Sequence, residues 1–151
     1  MKLNHDLLFF TCATGFYANF VVPYTYFALK FNENAVFEYI VDDISVFKGK
    51  HNAALCWLRD HLNASITFRT VDEVSLRPKL KNSYRFIMDP ITKAEYVYIG
   101  DVDIMILEDI RKWHSPIFDA GLPYSNVVRD GTKKLTGLHF ARFESLYPLP
   151  E

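Results

Sequence analysis

The feature that most constrains the fold of this 151-residue chain is a regular alternation between short apolar runs and segments with helical spacing. The runs have the length and the aromatic and β-branched content of buried strands and occupy residues 7–10, 35–41 and 96–99, while residues 65–70 alternate, with Ile66 and Phe68 on one side, and are predicted to form a further strand. This order is typical of an α/β protein with a mostly parallel sheet and helices on both of its faces. We therefore predict a Rossmann-like fold.

The segments between the runs contain helix signals. Asn19 is predicted to cap the first helix, with Pro23 in its first turn, where the missing N–H of proline costs little. Residues 52–62 place apolar side chains on one face of a second helix. A third helix is predicted at residues 83–88 and ends before a proline, because the residue preceding proline avoids helical geometry. Residues 104–107 are predicted to be extended.

The pattern loosens towards the carboxyl end. Pro116, Pro123 and Gly131 indicate a loop-rich stretch, and residues 136–141 are predicted to form one more strand, without a closing helix. The length fits a single domain covering residues 1–151.

Composition excludes several classes of protein. Half of the residues are apolar, with 13 Phe and 9 Tyr, which argues against disorder. The formal net charge is −1 and the charges are mixed along the chain, so no basic stripe indicates a nucleic-acid partner. An anionic ligand would therefore be held by a local site.

Two further features bear on the cellular compartment. Cys12 and Cys56 lie far apart in the chain, which favours two free thiols in a reducing compartment over a disulfide or a metal role. Residues 7–29 carry no formal charge, yet polar residues and a glycine interrupt them, so we predict a strand, a turn and a helix instead of a membrane span. We expect a cytoplasmic protein, with peripheral association at the inner face of the membrane as the alternative.

Three polar segments follow predicted strands. They are residues 11–17, 42–43 and 101–103. Because the carboxyl ends of parallel strands share one edge of the sheet, we expect these segments to converge there and to form a ligand site. Asp42 is a candidate to contact ribose hydroxyls, and capping of the following turn is the alternative.

Asp101 and Asp103 are the most informative pair. Two carboxylates one residue apart in a turn offer oxygen ligands to a hard divalent cation such as Mn²⁺ or Mg²⁺, which can neutralise a diphosphate leaving group. The alternative is a solvated turn whose short acids bond nearby backbone N–H groups. The apolar runs on both sides favour the cation site, because adjacent carboxylates pinned between buried segments repel each other.

Basic residues precede this pair. Arg85 lies inside an otherwise apolar segment and therefore needs an anionic partner, either a phosphate or a structural carboxylate. Lys79 and Lys81 are interpreted as part of a solvated face, with phosphate binding as the alternative.

Several of these segments together resemble the retaining glycosyltransferases of family 8. The resemblance is carried by residues 84–86 and 94–106, which include the Asp-x-Asp, and by residues 9–11, Tyr17-Ala18 and 40–45. It covers about the first 110 residues in the family's order. It implies a GT-A fold and transfer of a hexose from a nucleotide-diphosphate sugar, with a UDP-sugar as the expected donor.

The resemblance also implies roles for individual residues. Asp101 and Asp103 would bind the cation and the donor diphosphate, and Arg85 would contact the donor sugar or its phosphates. Tyr17 would stack on the nucleobase. Thr11 and Ala13 would line the nucleotide pocket with backbone groups.

The chain departs from the family pattern at three places. Thr14 or Gly15 stands where the family usually has an acidic residue that reads uracil, and Arg85 lies about one residue from its expected position. The histidine-rich motif that supplies a third metal ligand is missing. His139 is the only late candidate for that ligand, and a hydrogen-bonded histidine on a strand is the alternative.

We therefore predict a glycosyltransferase of polysaccharide biosynthesis whose acceptor is a glycan or a lipid-linked sugar. Residues 1–110 would be the donor-binding core and residues 111–151 part of the acceptor side. Family members are longer, so we expect a short or truncated bacterial-type member. The alternatives are a non-catalytic nucleotide- or glycan-binding remnant and a haloacid-dehalogenase-like phosphatase, which also uses an Asp-x-Asp after a strand.

Overall fold

A mixed six-stranded sheet organises the chain in a computed structural model that describes residues 5–73, 81–128, 131 and 135–150. The strand order across the sheet is β3-β2-β1-β4-β6-β5. In chain order the strands are β1 Leu7–Cys12, β2 Ala35–Val41, β3 Ser65–Thr70, β4 Tyr96–Ile99, β5 Tyr124–Val128 and β6 Leu135–Arg142.

The sheet has a parallel half and an antiparallel edge. Strands β3, β2, β1 and β4 run parallel, with Phe9 of β1 opposite Phe37 of β2 and Tyr98 of β4. Strand β6 is antiparallel to both β4 and β5. The carboxyl ends of β1, β2 and β4 therefore lie at one edge, where the predicted polar segments emerge.

Helical segments pack on both faces of the sheet and form a hydrophobic core with each face. The α-helices are α1 Val21–Phe31, α2 Ile44–Leu62, α3 Ile110–Asp119 and α4 Phe143–Leu146, and the 3₁₀ segments are Gly15–Phe20, Val71–Glu73 and Lys81–Phe86. Strand β1 is buried at every position because successive side chains enter opposite cores. Phe9 joins the cluster with α1, α2 and α3, and Phe10 joins the cluster with Tyr84 and Tyr147. The predicted α/β class, with helices on both faces, is confirmed.

The first strands follow the sequence pattern closely. The predicted strands at residues 35–41, 65–70 and 96–99 are confirmed, and the first strand extends two residues beyond residue 10, to Cys12. Residues 7–29 divide into β1, a 3₁₀ turn and most of α1, as expected. Among the described residues, no helix combines the length and apolar character needed to cross a membrane.

Helix boundaries were predicted less well. Asn19 does not cap α1, because a 3₁₀ segment precedes this helix and Phe20 takes the cap position, while the Asn19 amide donates to the carbonyl of Phe16 at 2.8 Å. Helix α2 begins at Ile44 and not at residue 52, since Asp43 caps it by accepting from the N–H of Val46 at 2.9 Å. The predicted helix at 83–88 is instead a 3₁₀ segment of the same length that begins two residues earlier, Lys81–Phe86.

The predictions were least accurate after β4. Residues 104–107 form no strand, because the chain turns back directly after Asp101. The stretch described as loop-rich contains α3, which tolerates Pro116, and β5. The expected strand at 136–141 is confirmed within β6, and α4 follows it where no helix was predicted.

Candidate active site

A pocket of about 400 Å³ opens at the carboxyl ends of β1 and β4. Three segments enclose it: the loop leaving β1, the 3₁₀ segment Lys81–Phe86 and the turn after β4. This pocket, called the donor pocket below, is lined by Cys12, Thr14, Tyr17, Lys81, Asn82, Arg85, Asp101, Val102 and Asp103.

The turn at residues 101–104 presents the two predicted carboxylates to the pocket. The N–H of Ile104 donates to the carbonyl of Asp101 at 3.2 Å and closes the turn, while Val102 is buried and anchors it. The Asp101 side chain is 31% exposed and Asp103 is exposed. Both carboxylates can therefore be reached by a ligand in the pocket.

Gly100 lets this turn pass close to β4. A Cβ atom built on Gly100 would lie 2.5 Å from the ring of Tyr98, closer than two carbon atoms approach in proteins. The Gly100 carbonyl oxygen accepts two hydrogen bonds. The Thr11 hydroxyl donates to it at 2.5 Å and Nη1 of Arg85 at 3.1 Å. The start of the turn is thus fixed from both sides.

Arg85 is the central cation of the donor pocket. Its side chain is only 3% exposed, and its Nη2 lies 2.6 Å from Oδ1 of Asp101. Within the described part of the chain, its buried Nε has no hydrogen-bond partner. A buried donor without an acceptor is unfavourable, so this nitrogen is available to an oxygen atom of a ligand.

Lys81 and Asp42 form a second charged pair beside the pocket. The Lys81 ammonium lies 2.6 Å from one carboxylate oxygen of Asp42, and the other oxygen accepts from the N–H of Gly15 at 2.6 Å. Burial raises the pKa of the Asp42 carboxyl, but the bonds from Lys81 and Gly15 outweigh burial and hold the pKa below its ordinary value. Asp42 therefore ties the loop after β1 to the 3₁₀ segment that carries Arg85. Its proposed contact with ribose stays a prediction.

Tyr17 lies where a planar ligand group can approach it. It lines the donor pocket, and half of its side chain is exposed. The rings of Phe16 and Phe20 each lie 6.4 Å from the ring of Tyr17 and support it. Stacking of a base on this ring stays a prediction.

Thr11 and Ala13 are buried and do not line the donor pocket. The hydroxyl of Thr11 bonds the Gly100 carbonyl, and the N–H of Ala13 donates to Ile40 at 2.8 Å. Their neighbours Cys12 and Thr14 reach the pocket instead. The Cys12 thiol donates to the carbonyl of Lys81 at 3.1 Å, and burial raises its pKa to about 11, so it is a neutral pocket wall at physiological pH.

His139 belongs to a polar cluster on β5 and β6 and does not line the donor pocket. Its Nδ1 lies 2.6 Å from the amide nitrogen of Asn126 and also contacts the Tyr124 hydroxyl. Burial, reinforced by the charge of Arg85, lowers its pKa and keeps the ring neutral. In the structure as described, no three His, Cys, Asp or Glu side chains form a metal-binding group, so the expected set of Asp101, Asp103 and His139 is not assembled.

Asp101 and Asp103 still fit one mode of cation binding. A Mg²⁺-like ion is commonly held by one or two carboxylates together with substrate phosphates and water, without an all-protein cage. Asp101 forms an ion pair with Arg85, whereas Asp103 forms none with any residue that the structure describes. These two residues could therefore hold a cation jointly with a diphosphate, and both belong to the same pocket.

The sequence patterns missed several lining residues. Cys12, Thr14 and Asn82 carry no distinctive signal, and Lys81 was interpreted as part of a solvated face. The position of Thr14 in the loop directly after a strand was the one usable indication. Lys79 lies outside the described residues.

Comparisons with solved structures place this fold in a known class. The mixed α/β sheet is GT-A-like, the fold class expected from the resemblance. The neighbours include the glycosyltransferase GlyE of Streptococcus pneumoniae, with a TM-score of 0.62 at 9% identity. Mouse xyloside xylosyltransferase 1 gives a TM-score of 0.60 at 12% identity. A third neighbour, 4-diphosphocytidyl-2C-methyl-D-erythritol synthase of Anaerococcus prevotii, gives 0.51 at 6% identity.

The extent of these matches is uneven. The alignments cover 94%, 97% and 95% of this chain, but only 35% of GlyE, 69% of the mouse enzyme and 74% of the synthase. The chain thus spans about a third of the length of the pneumococcal protein. No protein-family model and no curated protein sequence matches the chain significantly. Identities this low relate the folds alone, and membership of family 8 stays a prediction.

Proposed function

We propose that this chain is the donor-binding part of a glycosyltransferase that uses a nucleotide-diphosphate sugar and a divalent cation. The observation that carries the proposal is the donor pocket, in which Asp101, Asp103 and the buried Arg85 meet at the carboxyl edge of a GT-A-like sheet. The names of two fold neighbours, a glycosyltransferase and a xylosyltransferase, support the same class of reaction.

Each charged group has a part in this proposal. Arg85 donates from its unpartnered Nε to a phosphate or sugar oxygen, a charge-assisted bond that is stronger than a neutral one. Asp101 and Asp103 hold Mn²⁺ or Mg²⁺ together with the diphosphate, and the cation supplies charge neutralisation of the leaving group. Lys81 lines the pocket and, while paired with Asp42, can offer a further N–H donor to a phosphate oxygen. Tyr17 offers its exposed ring to the base.

The reaction balances as a transfer of one glycosyl group. The bond between the anomeric carbon and the phosphate oxygen breaks, and its electron pair leaves with the nucleoside diphosphate. A bond forms between that carbon and an acceptor hydroxyl oxygen, whose proton is released. We propose a UDP-hexose as the donor and a glycan or lipid-linked sugar as the acceptor, in a cytoplasmic step of polysaccharide biosynthesis.

The melting temperature of the protein tests this proposal, because a ligand that binds only the native state raises it. UDP with Mn²⁺ should raise the melting temperature, whereas UDP alone or Mn²⁺ alone should have little effect, since the two carboxylates bind the ion jointly with the diphosphate. Asp103→Ala should abolish the joint effect. CDP and GDP in the same titration identify the preferred base.

A matched control uses another exposed acid. Asp60 lies on α2, far from the pocket, and pairs with Arg59, so Asp60→Ala should retain the full response to UDP and Mn²⁺. An equal shift in Asp103→Ala and the parent would refute the metal site. Slow release of UDP from a UDP-hexose would favour an enzyme, and binding without any release would favour a nucleotide-binding remnant.

A further inference from the structure

A second cavity lies beside the donor pocket and shares one segment of chain with it. The turn that supplies Asp101 and Asp103 to the donor pocket continues into residues 104–108, which form one wall of a cavity of about 540 Å³. Helix α3 and strand β5 form the opposite wall. This apolar groove includes Ile104, Leu107, Trp113, Ile117, Ser125 and Asn126 in its lining.

The rim of the apolar groove exposes large apolar side chains. Ile104 is 42% exposed, Leu107 is 58% exposed and Trp113 is 66% exposed. The indole N–H of Trp113 donates to the Glu108 carboxylate at 2.6 Å, which holds the ring in place at the rim. Several exposed apolar groups around one cavity indicate a surface that binds something, because scattered exposure is ordinary and clustered exposure is not.

The interior of the groove contains a few fixed polar groups. Nδ1 of His114 lies 2.8 Å from the Ser125 hydroxyl, and its ring stacks on Phe140. The Asn126 side chain contacts His139 through its amide nitrogen, while its buried Oδ1 meets no hydrogen-bond donor among the described residues. Buried acceptors such as Asn126 Oδ1 are normally hydrogen-bonded, and a hydroxyl group of a ligand in the groove can donate to this oxygen.

These properties define the chemistry of the ligand. Mostly apolar and aromatic walls with a small number of placed polar groups are typical of small-molecule sites. The carboxylate of Glu108 is engaged by Trp113, and burial lowers the pKa of His114 and keeps that ring neutral. The groove therefore suits a neutral ligand with an apolar part and at least one hydroxyl group.

We infer that the apolar groove binds the acceptor, as a glycoside whose aglycone is an alkyl or aryl group. The sugar would lie at the end near Asn126 and Ile104, where the shared segment leaves the donor pocket. The aglycone would lie against Leu107, Trp113 and Ile117. This inference rests on the proposed glycosyl transfer and specifies the class of acceptor.

Trp113 provides a direct reporter of binding. The chain has two tryptophans, so the Trp57→Phe variant leaves Trp113 as the only one. Hexyl β-D-glucoside, kept below the concentration at which it forms micelles, should change the Trp113 emission in a saturable way. It should bind at least ~10-fold more tightly than methyl β-D-glucoside, because the longer chain buries more apolar surface.

Substitutions separate the two ends of the groove. Leu107→Ser, at an exposed position where folding is not at risk, and Ile117→Ser should each weaken hexyl glucoside binding by ~3- to 10-fold. Ile91→Ser is the control, since Ile91 is also exposed but lies beside β2 and β3 at the far side of the sheet. Asn126→Ala should weaken binding of hexyl glucoside and leave binding of 1-hexanol unchanged.

Three results would overturn the inference: equal affinity for the methyl and hexyl glucosides, no effect of either groove variant, or hexanol binding as tightly as hexyl glucoside. A dimer that Leu107→Ser dissociates in sedimentation would assign the groove to a second copy instead. The UDP and Mn²⁺ titration of the same variants keeps the two proposals apart. Loss of hexyl glucoside binding with intact UDP binding supports the groove. Intact hexyl glucoside binding without any UDP binding would refute the proposed donor and leave the groove as a glycoside site.

Discussion

The donor pocket and the apolar groove share one segment of chain, yet their chemistry is opposite. The donor pocket concentrates charge, with Arg85 against Asp101 and Lys81 against Asp42 at its mouth. The apolar groove has exposed apolar walls and a neutral His114–Ser125 pair. The element facing the shared segment makes the difference: a 3₁₀ segment rich in basic and polar residues on one side, and α3 with β5 on the other. A single turn can thus place a charged reactant beside an apolar one.

Replacing Arg85 should produce the largest change, confined to the donor pocket. In Arg85→Met, the partly buried Asp101 loses its partner, and we expect the free energy of unfolding to fall by about 2–3 kcal/mol. Binding of UDP with Mn²⁺ should weaken by ~100-fold or more, because charge-assisted bonds are lost. Urea denaturation and calorimetric titration measure the two effects.

The control for this variant is Arg142→Met on β6, where the exposed guanidinium lies over Tyr96 and Phe118. We expect it to leave UDP binding unchanged. Hexyl glucoside binding should be unchanged in both variants. If Arg85→Met also removed it, the two cavities would not be separate sites.

Adding a methyl group at the shared segment should disturb both cavities. In Gly100→Ala the new Cβ would meet the Tyr98 ring, which also lines the apolar groove, so we expect a loss of about 1–3 kcal/mol in the free energy of unfolding. UDP and hexyl glucoside should both bind more weakly. Thermal and urea denaturation, with both titrations, test this.

Gly49→Ala is the matched control for that substitution. Gly49 lies inside α2, where a built Cβ would meet no described atom within 4 Å apart from the local helix backbone, and alanine should stabilise the helix by about 0.5–1 kcal/mol. If Gly100→Ala weakened the binding of only one of the two ligands, UDP or hexyl glucoside, the turn after β4 would not be part of both cavities.

The smallest expected effect is a dependence of stability on pH at the apolar groove. Burial holds the pKa of His114 below 6.5 in the folded protein, so the unfolded chain takes up its proton at a higher pH. Stability from this group is therefore complete above about pH 6.5 and decreases as the pH falls towards the folded pKa. The slope cannot exceed about 1.4 kcal/mol per pH unit for one group.

His114→Gln keeps a hydrogen-bonding side chain without this titration, and its stability should change less between pH 7 and pH 5. His61→Gln, at an exposed position on α2, serves as the comparison. Equal slopes in the parent and His114→Gln would contradict the assignment of a neutral, buried imidazole to the groove. Urea denaturation at several pH values measures these slopes.

The parallel half of the sheet could be predicted because its signal is local. Strands such as Ala35–Val41 are buried on both faces, so their sequences are almost entirely apolar, and Glu38 is the one charged residue in this strand. The edge strand β5 and helix α3 lack such runs, and Pro116 inside α3 breaks the usual helix pattern. The start of α2 was also missed. The helix begins directly after its cap Asp43, and the spacing of apolar residues before residue 52 did not predict a helix there.

The candidate site divides in a similar way. Asp101, Asp103, Arg85 and Tyr17 were expected together, and all four line one pocket. Thr11 and Ala13 are buried while Cys12 and Thr14 line the pocket, and the expected backbone contacts of Thr11 and Ala13 with a nucleotide stay a prediction. His139 was expected as a metal ligand, but the strand pairing of β6 with β5 sets it beside Asn126.

The sequence alone determined the α/β alternation, the edge at which polar segments collect and the Asp-x-Asp that follows the fourth strand, because each of these is a pattern of neighbouring residues. Only the tertiary structure decided the pairing of Arg85 with Asp101, the bond from Thr11 to Gly100 across 89 positions of the chain and that from Lys81 to Asp42 across 39. It also decided that an apolar groove adjoins the charged pocket. Such contacts depend on how strands are ordered in the sheet, and local periodicity carries no information about that order.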